Sequence, residues 1–165
     1  MLRMIGTAAA AVAAMASLAA CGGVSSATFT RTPTPPAKVI RYTAAMDVNS
    51  NSLQRASSDA QACEAAITAN KFSAQCKYSI KSVGFEAGYL RYNLENVRAK
   101  EGPPPPEIAD LVARTLSAAA KVERASDDSQ SFCDDGACST KAAQTVIQLD
   151  RELMRVVGGW DQHVN

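Results

Sequence analysis

Residues 76–97 read CKYSIKSVGFEAGYLRYNLENV. Within them Cys76, Ile80, Val83, Ala87, Leu90, Leu94 and Val97 recur in steps of four and three. At 3.6 residues per turn, such steps hold the small and apolar side chains on one face of a helix. The same rule finds three more stripes. Leu53, Ala56, Ala60, Cys63 and Ile67 form one, and Ile108, Val112, Thr115, Leu116, Ala119 and Val122 another. Val146, Leu149, Leu153, Val156 and Trp160 form the last. No comparable stretch alternates with period two, so the expected class is all-α, an up-down four-helix bundle.

Breaks fall between the stripes. Asn70 to Ser73 separates the first two, with Ser73 a candidate N-cap. Gly102 followed by Pro103–Pro106 must end the second helix, because consecutive prolines lack donors and exclude helical geometry before them. Pro106 or Glu107 can open the third helix, where a first-turn proline and an acid are both tolerated. Asp127 to Ala137 is the expected third connection, and Gly158-Gly159 closes the fourth helix. Val39, Tyr42 and Met46 fit a short extra N-terminal helix, with Asn49-Ser50-Asn51-Ser52 as the break after it.

The chain has 165 residues, 17 Lys and Arg, 16 Asp and Glu, one His and five Cys. That length suits one domain. A net charge of +1 supplies no field to steer nucleic acid or a highly charged substrate. Arg3 is the only charge in residues 1–20, so the remainder is balanced. Ile5 to Ala20 is an uncharged run of 16 residues, rich in alanine. As a helix it would reach ~24 Å, short of a ~30 Å hydrocarbon core, and so reads as the apolar part of a signal peptide.

This run ends in Leu18-Ala19-Ala20-Cys21, which resembles the bacterial lipobox. The resemblance covers residues 1–21. It implies that residues 1–20 are removed and that Cys21 becomes the lipidated first residue, held by two or three acyl chains, since one chain binds only marginally. Gly22-Gly23 follows with no Asp beside the cysteine, which in Gram-negative lipoproteins implies release to the outer membrane. Residues 21–37 carry Ser25-Ser26 and Thr32-Pro33-Thr34-Pro35-Pro36 and have little to bury, so a disordered tether is expected there. The helical domain is then 38–165.

With Cys21 lipidated, Cys63, Cys76, Cys133 and Cys138 remain. An even number in an oxidising compartment argues for two disulfides. Four cysteines allow three connectivities. Cys63 and Cys76 lie on inward stripes of neighbouring helices at similar distances from the turn, and Gly136 suits a small loop closed by Cys133 and Cys138. The preferred pairing is therefore 63–76 and 133–138, the alternatives stapling the third connection to the first hairpin. Spacings of C-x12-C and C-x4-C match no common zinc pattern.

Chemistry is sparse. His163, near the terminus, is the only histidine, so Ser-His and Cys-His nucleophile systems lack a base. No haem, Walker or dinucleotide motif is present, and no cofactor is implied. Asp127, Asp128, Asp134 and Asp135 do not follow the EF-hand pattern and read as a solvated acidic loop. Glu86 and Glu95 would have to face each other across a cleft to hydrolyse a glycoside.

The second helix also carries Tyr78, Phe85, Tyr89 and Tyr92 on a face adjoining its core stripe. They are either a partner-binding patch, as exposed Tyr and Arg are common anchors, or a second packing surface of a central helix. Gly84 and Gly88 would permit close helix approach in both cases. The expected function is non-enzymatic: an outer-membrane lipoprotein whose periplasmic body binds another envelope protein as an assembly accessory or inhibitor. Immunity proteins against periplasmic toxins offer a loose likeness of shape. The rival is a helical protein acting on peptidoglycan or binding a small apolar ligand, which would need a pocket lined by polar groups.

Overall fold

The computed structural model describes residues 36–69, 71–131 and 139–164, so Cys21, Cys133 and Cys138 lie outside the described residues. The described residues are helical, with no strand among them. Four long segments dominate: α1 (Ala37–Ala62) with its short continuation α2 (Glu64–Thr68), α3 (Ala74–Glu101), α4 (Pro106–Ser131) and α5 (Thr140–Val157). A 3₁₀ turn over Gly158–Trp160 and a last helical turn, α6 (Asp161–Val164), complete the chain. Helix α3 lies between α1 and α4, α4 packs along α5, and α5 touches α1 only lightly. The Tyr42 hydroxyl donates to the Gly102 carbonyl at 2.9 Å, so the start of α1 meets the end of α3.

The core is built on the four stripes and joined by Val39, Tyr42 and Met46 of α1, Leu111 of α4 and Ala143 and Ile147 of α5. Ile80, Val83, Ala87, Leu90 and Leu94 of α3 are buried against Leu53 and Ala60 of α1, Val112 and Val122 of α4, and Val146 and Leu153 of α5. The caps fall where hydroxyls were available. Ser73 accepts from the Cys76 N–H at 3.1 Å, and Ser139 accepts from the Ala142 N–H at 3.3 Å. Gly102 ends α3 with φ of 80°, a left-handed conformation that costs a glycine little.

Three boundaries differ from the sequence expectation. There is no separate short helix over 38–49, because α1 runs unbroken through Asn49-Ser50-Asn51-Ser52. The side chains in that run fold back on the helix instead of capping a new one. Asn49 Nδ2 donates to the Ala45 carbonyl at 2.8 Å, Ser50 to Asp47 at 3.0 Å and Ser52 to Asn49 at 3.2 Å. Burial of Val39, Tyr42, Met46 and Leu53 in one register outweighs the weak helix propensity of the polar four. The interruption comes later, at Cys63 between α1 and α2. Finally, α4 continues to Ser131, which puts Asp127 and Asp128 on a helix rather than in the third connection.

One disulfide, Cys63–Cys76, is present among the described residues, with Cα atoms 5.5 Å apart. It ties the end of α1 to the first turn of α3 on buried positions, as the stripe register implied. Closing a loop of 13-residue separation removes chain entropy from the unfolded state. Replacing both cysteines with serine is expected to cost about 2–3 kcal/mol, read as a lower urea midpoint, with any change in slope an increase as the unfolded chain is released. A midpoint equal to that of the parent would show that the bridge constrains nothing.

Candidate functional site: an exposed aromatic ridge

Helix α3 is central, yet its aromatic residues do not pack against its neighbours. At ~100° per residue, Tyr78, Phe85, Tyr89 and Tyr92 fall within ~60° of one another, on the side away from Ile80, Val83, Leu90 and Leu94. The expectation that they adjoin the core stripe is thus corrected, for they stand nearly opposite it. Their relative exposures are 66%, 70%, 46% and 58%. Phe85 and Tyr89 lie with ring planes 2° apart and centroids at 6.5 Å.

The flanks of α3, and not the ridge, hold the neighbouring helices. Toward α1, Ser52 donates to Glu86 at 2.6 Å and Asn93 to Asn49 at 3.4 Å. Toward α4, Arg91 grips Glu123 through Nε at 2.8 Å and Nη2 at 3.3 Å, and its Nη1 reaches both oxygens of Glu95 at 3.0 Å. The two carboxylates hold the Arg91 guanidinium charged, well above its ordinary pKa. Glycines bring α4 close. A Cβ at Gly84 would collide with Ser126 Cβ and Oγ, while one at Gly88 would come to 2.9 Å from Glu123 Oε1. Because small residues form these contacts, the bulky rings are left to solvent.

This contrast is testable. Gly84→Ala must push α4 away at a rigid point and is expected to destabilise by about 2 kcal/mol, despite alanine's better helix propensity. Gly88→Ala meets the end of the Glu123 side chain, which can shift at the expense of its contact with Arg91, and should lower the melting temperature less. Thermal unfolding of the two variants side by side decides it, and equal behaviour would mean that α3 and α4 are not in close contact at Gly84.

Two grooves flank the ridge and meet at Tyr89. One, of about 440 Å³, runs between α1 and α3 beside Ala44, Val48 and Asn93. The other, of about 380 Å³, runs between α3 and α4 over Gly84 and Gly88, with Glu123 and Asp127 on its far wall. The other sequence candidates are not brought together. Glu86 and Glu95 serve opposite flanks of α3, each bonded to its own partner. His163 sits on α6, half-buried. Among the described residues no cluster of His, Cys, Asp or Glu could hold a metal, and no helix is long and apolar enough to cross a membrane.

One polar cluster was missed in the sequence. Asp150 of α5 is 0% exposed. Its Oδ2 accepts from Ser57 at 2.6 Å and from Gln61 at 3.5 Å, and Gln61 also donates to Ser57 at 2.9 Å. Its Oδ1 has no partner. Burial pushes the carboxyl pKa up, against the pull of the Ser57 and Gln61 hydrogen bonds and of the Arg151 charge. Beside it, Arg151 holds Glu64 of α2 in a two-point ion pair at 3.0 and 2.6 Å, which keeps the Glu64 carboxyl below its usual range. Polar ties thus join α5 to α1 at Asp150 and to α2 at Arg151. No family model matches the chain, and neither a curated protein nor a solved structure does.

Proposed function

We propose that the protein is a lipid-anchored component of the Gram-negative envelope, held by Cys21 at the periplasmic face of the outer membrane. Its helical body docks another envelope protein through the α3 ridge, as an assembly accessory or inhibitor. In this reading the scaffold is an up-down four-helix bundle, and a second disulfide, Cys133–Cys138, closes its third connection.

The observation that carries the docking role is the ridge itself: four aromatic rings on one stripe, 46–70% exposed, on a chain with few aromatic residues. Aromatic side chains each bring large contact areas at low conformational cost, and Tyr and Arg are over-represented among residues that dominate binding energy. Leaving them in water has no value for folding, since the core is complete without them.

Tyr89→Ala with Tyr92→Ala should shift the melting temperature by no more than a few degrees while lowering recovery of a cross-linked partner from intact envelopes at least tenfold. A large loss of thermal stability with the partner retained would make these rings structural. For the anchor, Cys21→Ser should leave the membrane fraction and take up no labelled fatty acid. If it still fractionates with membranes and labels as the parent does, the lipoprotein reading is wrong. Non-reducing peptide mapping that finds free thiols at Cys133 and Cys138 would remove the second disulfide.

A further inference from the structure

We propose that the α1/α3 groove is the seat of a partner's amphipathic helix, one that presents an apolar anchor between Val48 and Tyr89 and a carboxylate to Arg41 and Lys100. This rests on the docking function above and specifies its chemistry. At one end of the groove Ala44 and the strongly exposed Val48 of α1 face Tyr89 of α3, with Asn93 beside them. At the other end Arg41 and Lys100 stand on either side, with Glu101 as the one anion lining the groove.

Many exposed cations among the described residues lack an ion pair, and what marks these two is their shared place at one end of the groove. Among the described residues Arg91, Arg114 and Arg151 are each matched to a carboxylate on their own or a neighbouring helix. Neither Arg41 nor Lys100 has a hydrogen bond or an ion pair. Both are exposed, at the same end of the same groove. An acidic group delivered there meets two uncommitted cations, which favours its approach and disfavours a basic partner.

Backbone chemistry favours a helix over an added strand. Both walls are α-helices whose main-chain groups are bonded internally, so the groove offers no strand edge to extend. A segment that buries itself against Ala44, Val48 and Tyr89 loses water from the backbone groups it turns inward, and a helix bonds those groups internally. Arg41 precedes Val48 by seven residues and Lys100 follows Tyr89 by eleven, or ~10 Å along α1 and ~16 Å along α3. The partner's acid should therefore lie two to three turns from its apolar anchor.

The test uses the full-length protein in intact envelopes, with a photo-reactive phenylalanine analogue placed at Val48, Ala44, Tyr78 or Phe85. Cross-linked peptides are then identified by mass spectrometry. Val48 and Ala44 should capture a segment of helical periodicity with Asp or Glu two to three turns from the linked residue. Arg41→Glu with Lys100→Glu, in the Val48 background, should reduce that product at least tenfold, and Arg41→Gln with Lys100→Gln severalfold. Both cations are exposed and unpaired, so circular dichroism should show the same helix content. Cross-links at Tyr78 and Phe85 but none at Val48 would overturn the groove while leaving ridge docking intact. No protein at any position would overturn both. Capture of a second copy of this chain, of lipid, or of a basic segment would overturn the acidic helix, as would a yield indifferent to the charge reversal.

Discussion

Trp160→Ala should lower the stability of the folded protein by about 3–5 kcal/mol, a large part of the 5–15 kcal/mol typical of a domain. Trp160 is 2% exposed, and its indole N–H donates to Thr115 Oγ1 of α4 at 3.0 Å. Thr115 in turn donates to the Leu111 carbonyl at 2.8 Å, so the hydroxyl is fixed and aimed to accept. The ring joins the turn after α5 to the middle of α4, and Gly159 allows the approach, since a Cβ there would come to 3.3 Å from Leu111 Cδ1. Alanine removes the largest fully buried side chain and leaves a void that the ends of two helices cannot close. Trp160→Phe keeps most of the apolar volume and should lose only about 1–2 kcal/mol, chiefly the hydrogen bond. Urea unfolding followed at 222 nm measures both, because the only tryptophan is the residue replaced. A loss below 1 kcal/mol for the alanine variant would show that the chain after Val157 is not docked on α4.

What the sequence disclosed depended on how strongly each signal opposed its surroundings. The four stripes are long and regular, and most of the residues they nominated are buried. Val97, Leu116, Leu149 and Val156 lie half-buried at the edge of the core, and Leu111, Ala143 and Ile147 join it from outside the stripes. The polar run at Asn49–Ser52 read as a break because its residues favour caps and turns in isolation. Its register, however, carries Val39, Tyr42 and Met46 into Leu53 without a slip, and burial won. Glycines at 84 and 88 announced a close contact, and Ser126 and Glu123 occupy the space they leave. Yet the same glycines freed the aromatic rings from packing, which spacing alone did not reveal. Asp150 escaped notice because Leu149 filled the next place in its stripe. Its distance of four residues from Val146 and three from Leu153 was the available sign that a carboxylate faces inward.

That buried carboxylate makes the largest pH-dependent effect expected of the fold. Desolvation is the leading influence on Asp150 and raises its pKa in the folded state above the ordinary carboxylate value. A folded state that holds its proton more tightly is favoured when the proton is present. The contribution is therefore complete below the ordinary carboxylate pKa and is lost as pH rises through the elevated folded value, with a limiting slope of ~1.4 kcal/mol per pH unit. Glu64 acts in the opposite sense, its depressed pKa favouring the folded state above the ordinary range, but its ion pair is open to water and its share is small. Asp150→Asn supplies a permanently neutral side chain of the same size. It should raise the urea midpoint at pH 7 and flatten the fall in stability between mildly acidic and neutral pH. Ser57→Ala should do the reverse: removal of the 2.6 Å donor leaves the carboxylate with Gln61 alone and is expected to cost about 3 kcal/mol at pH 7. That cost should shrink at acidic pH, where the carboxyl is neutral and less dependent on donors. In the double variant the serine loses most of its value, so the two effects should be strongly non-additive. Unfolding curves for the four proteins at several pH values test the whole scheme. If Asp150→Asn destabilises at pH 7, or its pH profile parallels the parent's, the ionised carboxylate is a welcome partner at the α1/α5 seam and not a burden on it.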